Sequence, residues 1–588
     1  MTISRAAVHH RPKSNYAYAY DESTVHVRLR TKRGDVDRCT LLHGDKFDWP
    51  GTASRTPMER LGSDERFDYW QVAVQPPYRR LCYAFRLEDD EEALWLTEWG
   101  LESVDENDFP TAGEQRPLHY FEFPFVNPVD VHDPPEWAKD AVFYQLFPER
   151  FANGDPERSP NNVEEWGGQP KRDNFFGGDL QGIIDNLDYI ANLGVTALYL
   201  TPVFESTSNH KYNTTDYLRI DPHFGDEETL CRLVDEAHDR DIRVMLDAVF
   251  NHCGRQFEPF QDVLEHGEES EYADWFHIKE FPIEFEPRPN YDAFAFEPYM
   301  PKLNTENPEV KSHLLDVATY WIETADIDGW RLDVANEVDH EFWREFRREV
   351  KVIKPETYIL GETWHDSSAW LEGDQFDSVM NYPFSYATYD FLATDDIDAT
   401  TFAEKNTAFT FRYSEQVTDV LFNLLSSHDT PRMLHRCDGD EDRLRLAFFL
   451  QLTSPGTPCL YYGDEVGMTG GHDPDCRRTT IWDEDEQNRE LRSFVSELID
   501  LRHDHRPLRR GRLRFDEAQC GDDLLVYQRV GSEATATVAI NRGADALEVR
   551  VTDDDAELLF TVGDTSLETE NDTWTVPGSS GAVWIQND

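Results

Sequence analysis

Eight short apolar runs, separated by stretches of helical pattern, constrain this sequence more than anything else in it. They are VFYQ (142–145), ALYL (197–200), RVMLDAVF (243–250), GWRLDV (329–334), YILGE (358–362), SVMN (378–381), VLFNLL (420–425) and PCLYY (458–462). Runs so short and so apolar suit strands covered on both faces, and strands that alternate with helices pair in parallel. Between the first two, LQGIIDNLDYIANLG places Leu180, Ile183, Ile184, Leu187, Ile190 and Leu193 at helical spacing, with Gly194 as a C-terminal cap. Pro308, a favoured first helical residue, opens another helix through VKSHLLDVATYWIET. Eight such units predict an α/β fold, a (β/α)8 TIM barrel over 138–505. The surplus over the roughly 250 residues of a plain barrel predicts long loops on its active face. The longest, 253–304 after the third strand, has the size of a small subdomain.

On both sides of this region the rhythm changes. Up to residue 122, runs such as STVHVRLRT, YWQVAVQ and LCYAFRLE predict an N-terminal all-β sandwich domain. A Pro-rich passage at 123–137 reads as a linker, because its prolines cannot join a ladder. From 506 to 588, DLLVYQRV and ATATVAIN predict a C-terminal β-sandwich.

Composition removes several classes of function. With 116 acidic against 56 basic residues the net charge is −60, which repels nucleic acid and anionic membranes alike. The 39% of hydrophobic residues and 13% of aromatics supply packed cores, so the acidity does not signal disorder. Of the 56 basic residues only 12 are Lys. A carboxylate-rich, Lys-poor surface is expected of a halophile's protein, since molar salt shortens screening to about 3 Å and removes the self-repulsion. The eight cysteines form no CxxC pair, which suggests neither a zinc site nor a disulfide framework. No apolar run reaches the length of a membrane span, and MTISRAAVHHRPKSNYAYAY has no signal core, so a cytoplasmic location is expected.

Barrel enzymes carry their chemistry where strands end and loops begin. The charged residues at those places are Asp247, Arg331, Asp333, Glu362, His428 and Asp429. Arg331 and Asp333 interrupt the apolar alternation of GWRLDVANEV. Two positions apart in a strand, they point the same way, so Arg331 would hold Asp333 ionised. Asp333 and Glu362 lie about one βα unit apart, which puts both carboxylates on neighbouring strand ends. Two carboxylates facing across a neutral substrate equip a site for glycoside hydrolysis. Glu362 has no comparable basic neighbour in sequence, which suits a proton donor. Each feature alone has a plainer reading: a structural ion pair for Arg331 and Asp333, a core network for DAVFNH, a capped turn for HDT. Their joint placement favours a reaction centre. His340-Glu341 lacks the second His of a zinc protease because Arg344 stands in its place, and FGGDLQG lacks the glycine order and Lys of a phosphate loop.

These stretches resemble a known family. DAVFNH (247–252), GWRLDVANE (329–337), GETW (361–364) and SSHDT (426–430) are similar, in order, to the four signature regions of the α-amylase family of glycoside hydrolases. MPKLN (300–304) is similar to the signature of its neopullulanase, cyclomaltodextrinase and maltogenic amylase subgroup, and RLRTKRGDV and FDYW resemble that subgroup's N-terminal module. The resemblance implies retaining cleavage of α-1,4-glucosidic bonds in cyclodextrins, maltooligosaccharides and, at the margin, pullulan or starch, with some transfer to sugar acceptors. It implies Asp333 as nucleophile, Glu362 as acid and then base, and Asp429 as the third carboxylate. Asp247, His252, Arg331 and His428 would grip the sugar at the cleavage point and Tyr212 would stack on it. Asp473 and Arg477 would contact the next donor-side sugar, while Trp364, Asn336 and Glu337 would shape the acceptor side. Phe294 and Phe296, before MPKLN, are further candidates, with core packing as the equal alternative.

No cofactor is required for this chemistry. FANGDPERSP (151–160) with FFGGD (175–179) resembles the subgroup's calcium loop, with Asn153, Asp155, Gly177 and Asp179 as oxygen ligands, but Arg158 and Ser159 stand where further Asn or Asp ligands are expected. Asn213 likewise replaces a usual Asp. The resemblance also implies a homodimer in which one chain's N-terminal module covers the other's active site. Three alternatives stay open: mainly a glucosyl transferase, an ordinary α-amylase, or an inactive amylase-like binding protein, against which the intact Asp333, Glu362 and Asp429 set argues.

Overall fold

The computed structural model describes residues 3–103, 119–551, 556–563, 567–570 and 572–587; residues 104–118 of the expected N-terminal domain lie outside them. Eight parallel strands form the central sheet: β1 (Phe143–Leu146), β2 (Ala197–Leu200), β3 (Arg243–Ala248), β4 (Gly329–Leu332), β5 (Tyr358–Gly361), β6 (Ser378–Val379), β7 (Phe422–Leu424) and β8 (Thr457–Tyr461). A parallel bridge from Met380 to Phe422 joins the two ends of the sheet and closes the barrel. All eight apolar runs therefore become barrel strands. Phe143, Tyr199, Met245, Tyr358, Leu360 and Phe422 belong to one buried cluster contributed by these strands.

Register decides what the strand ends present. Asp247 on β3 pairs with Arg331 on β4, and Leu332 pairs with Gly361 on β5. Asp333 and Glu362 each follow directly on one of those last paired residues, so both emerge at the same level of the barrel rim.

One expected helix differs. The pattern 180–193 forms two short helices, Leu180–Asp185 and Leu187–Ala191, instead of one. Asn186 breaks it with φ −112° and ψ 12°, while its side-chain amide donates to the Gly182 carbonyl at 2.7 Å. Asn competes for backbone partners in this way, and the apolar spacing carries no trace of it. Gly194 has φ +91°, the left-handed value a cap needs. The helix Pro308–Ala325 begins at the expected proline, with Asn307 accepting from the Glu309 and Val310 amides.

After β3 the long loop carries the helix Glu258–His266 and returns through bridges from His252 to Lys302 and from Phe276 to Leu303. Among the described residues, the N-terminal domain packs a four-stranded sheet on a six-stranded one around its own core. Its closing strand Phe121–Phe123 pairs with Leu81–Tyr83, so Phe123 is still in the ladder. Among the described residues, the C-terminal domain has sheets of five and three strands, and part of its interior, including Phe515, Leu525, Tyr527 and Val538, joins the main barrel core. At the seam between the N-terminal domain and the barrel, the Gln416 amide donates to the carbonyls of Ala19 and Tyr20 at 2.9 and 2.8 Å.

Candidate active site

At the C-terminal ends of the strands, Arg331 is fully buried and faces three carboxylates at once. Its Nη1 lies 3.1 Å from both oxygens of Asp247 and 2.7 Å from Asp333 Oδ1. Its Nη2 lies 2.8 Å from Glu362 Oε1, out of line for a hydrogen bond. The expectation that Glu362 lacks a basic partner is thus corrected: the shared guanidinium reaches it from the next strand, a neighbour that sequence separation hides.

Burial pushes the Asp333 carboxyl well above the usual carboxylate range; Arg331 opposes this, and repulsion from Glu362 and Asp247 adds to it. Burial likewise raises Asp247 against the pull of Arg331. One guanidinium does not offset burial and mutual repulsion at Asp333 and Asp247, so these two carboxyls hold protons more readily than isolated ones would. Asp333 Oδ2 has no hydrogen-bond partner among the described residues and stands ready for a reacting atom.

Glu362 is held by backbone geometry. Its Oε2 accepts the Val334 N–H at 2.9 Å, and its Oε1 takes a 3.3 Å contact from the Trp364 indole N–H. Val334 has φ 45° and ψ 41°, a left-handed conformation that is a genuine outlier for a β-branched residue. Such strain costs about 1–3 kcal/mol and concentrates at functional sites.

Across the opening, Asp429 is half-buried. Its Oδ1 is 3.2 Å from Arg477 Nη2 and its Oδ2 is 3.1 Å from His428 Nε2. Burial holds His428 well below the ordinary histidine range, helped by Arg477 and Arg331, so its ring is neutral. Tyr212 stacks on that ring at 5.3 Å and its hydroxyl meets both His428 Nε2 at 2.6 Å and Asp247 Oδ2 at 2.9 Å. His252, lowered to about 3 by burial, stacks on Phe294 at 5.0 Å and leaves its Nε2 unpartnered. Arg477 also holds Asp473, Nη1 to Oδ1, at 3.0 Å. Trp364 stacks on Tyr382 with ring centroids 3.6 Å apart.

These groups surround a cavity of about 920 Å³, within the range of small-molecule sites. Asp333, Glu362, Asp429, His428, His252, Tyr212, Asp473, Arg477, Trp364, Asn336 and Glu337 all line it. Asp247 and Arg331 are absent from the lining and pack behind Asp333. Phe294 lines the cavity, whereas Phe296 is 62% exposed beside Arg288, so neither is a core residue. Sequence reasoning missed Tyr199, which donates to Asp247 at 2.7 Å, Gln145, which meets His428 Nδ1 at 2.7 Å, and Tyr382 under Trp364. Tyr199 and Gln145 sit on β2 and β1, so reading polar positions within apolar strands would have found them.

The four residues of the expected calcium loop also come together, but in another role. Both oxygens of Asp179 are taken by backbone N–H groups, Gly154 and Gly182 on Oδ1 and Asp155 on Oδ2, at 2.6 to 3.0 Å. Arg158 places Nε 3.2 Å from Asp155 and Nη2 2.9 Å from Asp226. Asn153 donates to Ser159, and Gly177, at φ +83°, donates to Glu149. A cation is thus already seated on the Asp155 carboxylate. Asn153 Oδ1 is buried without a partner among the described residues and could face a cation, but with Arg158 on Asp155 and amides on both Asp179 oxygens the two carboxylates are engaged, which does not suit the six to eight oxygen ligands of a calcium ion.

The chain matches the family described as the α-amylase catalytic domain over residues 145–517, and the α-amylase N-terminal Ig-like domain over 1–127. It is 54% identical to the cyclomaltodextrinase of Geobacillus thermopakistaniensis (strain MAS1), over 93% of this chain and 92% of that one. With the intracellular maltogenic amylase of Bacillus subtilis (strain 168) the identity is 46%, over 92% and 91%. A solved cyclomaltodextrinase structure superposes with a TM-score of 0.92 at 48% identity, covering 99% of this chain and 100% of that chain.

Proposed function

Because the chain belongs to the α-amylase family of glycoside hydrolases, we propose that it opens cyclodextrins and shortens maltooligosaccharides by retaining cleavage of α-1,4-glucosidic bonds. The observation that carries this reading is one guanidinium, Arg331, holding Asp333 and Glu362 on adjacent strand ends, with Asp429 across the same cavity.

In this reading Asp333 Oδ2 attacks the anomeric carbon while Glu362 delivers its proton to the departing glycosidic oxygen. The bond to the leaving sugar breaks and a glucosyl ester forms on Asp333. Glu362, now a carboxylate, takes a proton from an entering water whose oxygen displaces Asp333, which returns both carboxyl groups to their starting states. A sugar hydroxyl entering in place of water gives transfer. His428, His252, Tyr212 and Asp429 orient the ring, and Trp364, exposed and backed by Tyr382, offers an apolar face to the entering group.

Four narrower readings accompany this. Exposed Phe47, Trp99 and Tyr78 on the N-terminal domain support a homodimer through that domain. The net charge of −60 supports a working medium of molar salt. No helix among the described residues is long and apolar enough to cross a membrane, and likeness to an intracellular relative supports a cytoplasmic location. The Arg158 contacts support folding and activity without calcium.

The test is product analysis in molar KCl with a cyclodextrin and, separately, soluble starch. Rapid ring opening to maltose and glucose with slow starch loss is expected. Fast starch cleavage beside an untouched ring would leave the family standing and overturn the substrate reading.

A further inference from the structure

The stretch MPKLN (300–304) carries a lysine that the reaction described above does not use. Lys302 is not among the residues lining the catalytic cavity, although Met300, His252 and Glu337 around it are. Its ammonium donates to Asn251 Oδ1 and, at 2.9 Å, to the Glu337 carbonyl, and it lies 3.6 Å from the Glu337 carboxylate. An ammonium has three donors and no acceptor, so an oxygen is at hand for each of them.

These contacts join three separate segments. Asn251 is fully buried after β3 and directly precedes His252. Glu337 ends the single turn Ala335–Glu337, which follows Asp333 and Val334. Lys302 stands where the long loop returns: its backbone bridges to His252, and the Leu303 N–H donates to the Asn251 carbonyl at 3.1 Å. The Trp343 indole N–H holds the first residue of the turn through the Ala335 carbonyl at 2.9 Å, and Lys302 holds the last. A half-exposed ion pair contributes little in molar salt, so the two direct hydrogen bonds of Lys302 carry this hold.

Asn336 and Glu337 line the cavity, and in the reading above they face the group that enters after the first displacement. Water needs little guidance to attack the glucosyl ester, whereas a sugar must be oriented by groups that bind its hydroxyls. We propose that Lys302 is a positioning residue for the acceptor: from behind the cavity wall it fixes the turn carrying Asn336 and Glu337, so that a sugar hydroxyl competes with water for the intermediate. In that step the hydroxyl oxygen bonds to the anomeric carbon, the ester bond to Asp333 breaks and the proton passes to Glu362. This rests on the proposed double displacement, which the first arm of the test checks separately.

The test follows cyclodextrin opening in molar KCl with carbon-13 glucose as the added acceptor. Label entering oligosaccharides counts transfer, and unlabelled reducing ends count hydrolysis. In Lys302→Met the ratio of transfer to hydrolysis should fall about fivefold, with kcat/KM for ring opening kept within about twofold. Lys302→Arg, which keeps the charge and the donors, should lie between Lys302→Met and the parent. A ratio unchanged in Lys302→Met, or transfer and ring opening lost in equal proportion in both variants, would overturn the proposal and leave the functional reading intact. A parent protein that opens no ring would overturn both.

Discussion

The backbone N–H of Val334 donates to Glu362 Oε2 at 2.9 Å, and it can do so because Val334 holds a left-handed conformation that its branched side chain disfavours. The residue after the proposed nucleophile therefore aims the proposed acid. Val334→Gly keeps the N–H but frees the backbone. Because Gly adopts this region without strain, melting temperature should hold or rise while kcat falls about tenfold, through looser placement of Glu362. Parallel loss of both, or of neither, would contradict a positioning role.

Arg331 serves Asp247, Asp333 and Glu362 together. Replacing it with Met strands buried carboxylates, and removing one partner of a buried ion cluster costs about 3–5 kcal/mol. The nucleophile must be ionised, and its pKa is already raised, so activity on the acid side is lost as pH falls through a value above the ordinary carboxylate range. With Arg331→Lys, which spans fewer of the three groups, that limb of the kcat/KM profile should move to still higher pH. An unmoved limb would separate Arg331 from the ionisation of Asp333.

Away from the site, Asp328 is buried between β3 and β4 with His238 at 2.7 Å, Arg243 at 2.9 Å and Lys354 at 3.0 Å. Burial by itself would raise its pKa; His238, Lys354 and the Val244 N–H outweigh burial and hold it down to about 2. A depressed carboxylate stabilises the fold above its unfolded pKa and loses that contribution as pH falls through the folded value. The difference is worth about 2 kcal/mol. Asp328→Asn should therefore be less stable at neutral pH, with the gap to the parent closing between about pH 4 and pH 2. A gap that persists at pH 2 would assign the loss to packing instead.

The Arg158 contacts give a direct expectation for metal. Melting curves with excess chelator and with added calcium should coincide, and cyclodextrin cleavage should be equal in both. A rise in melting temperature with calcium would mean that the loop opens to receive it.

Much of this was legible in the sequence, for reasons that can be named. Barrel strands are apolar on both faces, so eight of them read directly as runs, and Asp333, Glu362 and Asp429 stand out as charges where those runs stop. Cross-strand partners are less visible. That Arg331 also serves Glu362 depends on the β4–β5 register, and the sequence offers only the nearer Asp333. Val334 gives no signal at all, since its type argues against the conformation it adopts. The break at Asn186 is a side-chain competition invisible to apolar spacing. The seam of the N-terminal domain with the barrel joins Ala19 and Tyr20 to Gln416, a pairing that only the folded domains define.

The central claim is that Asp333 attacks and the configuration is retained, and the anomeric form of the first product tests it most directly. Proton NMR during the opening minutes of cyclodextrin hydrolysis should show the α-anomer forming ahead of its equilibrium share, with Asp333→Asn releasing no product on the same timescale. Initial β-anomer, or an Asp333→Asn protein as active as the parent, would contradict it.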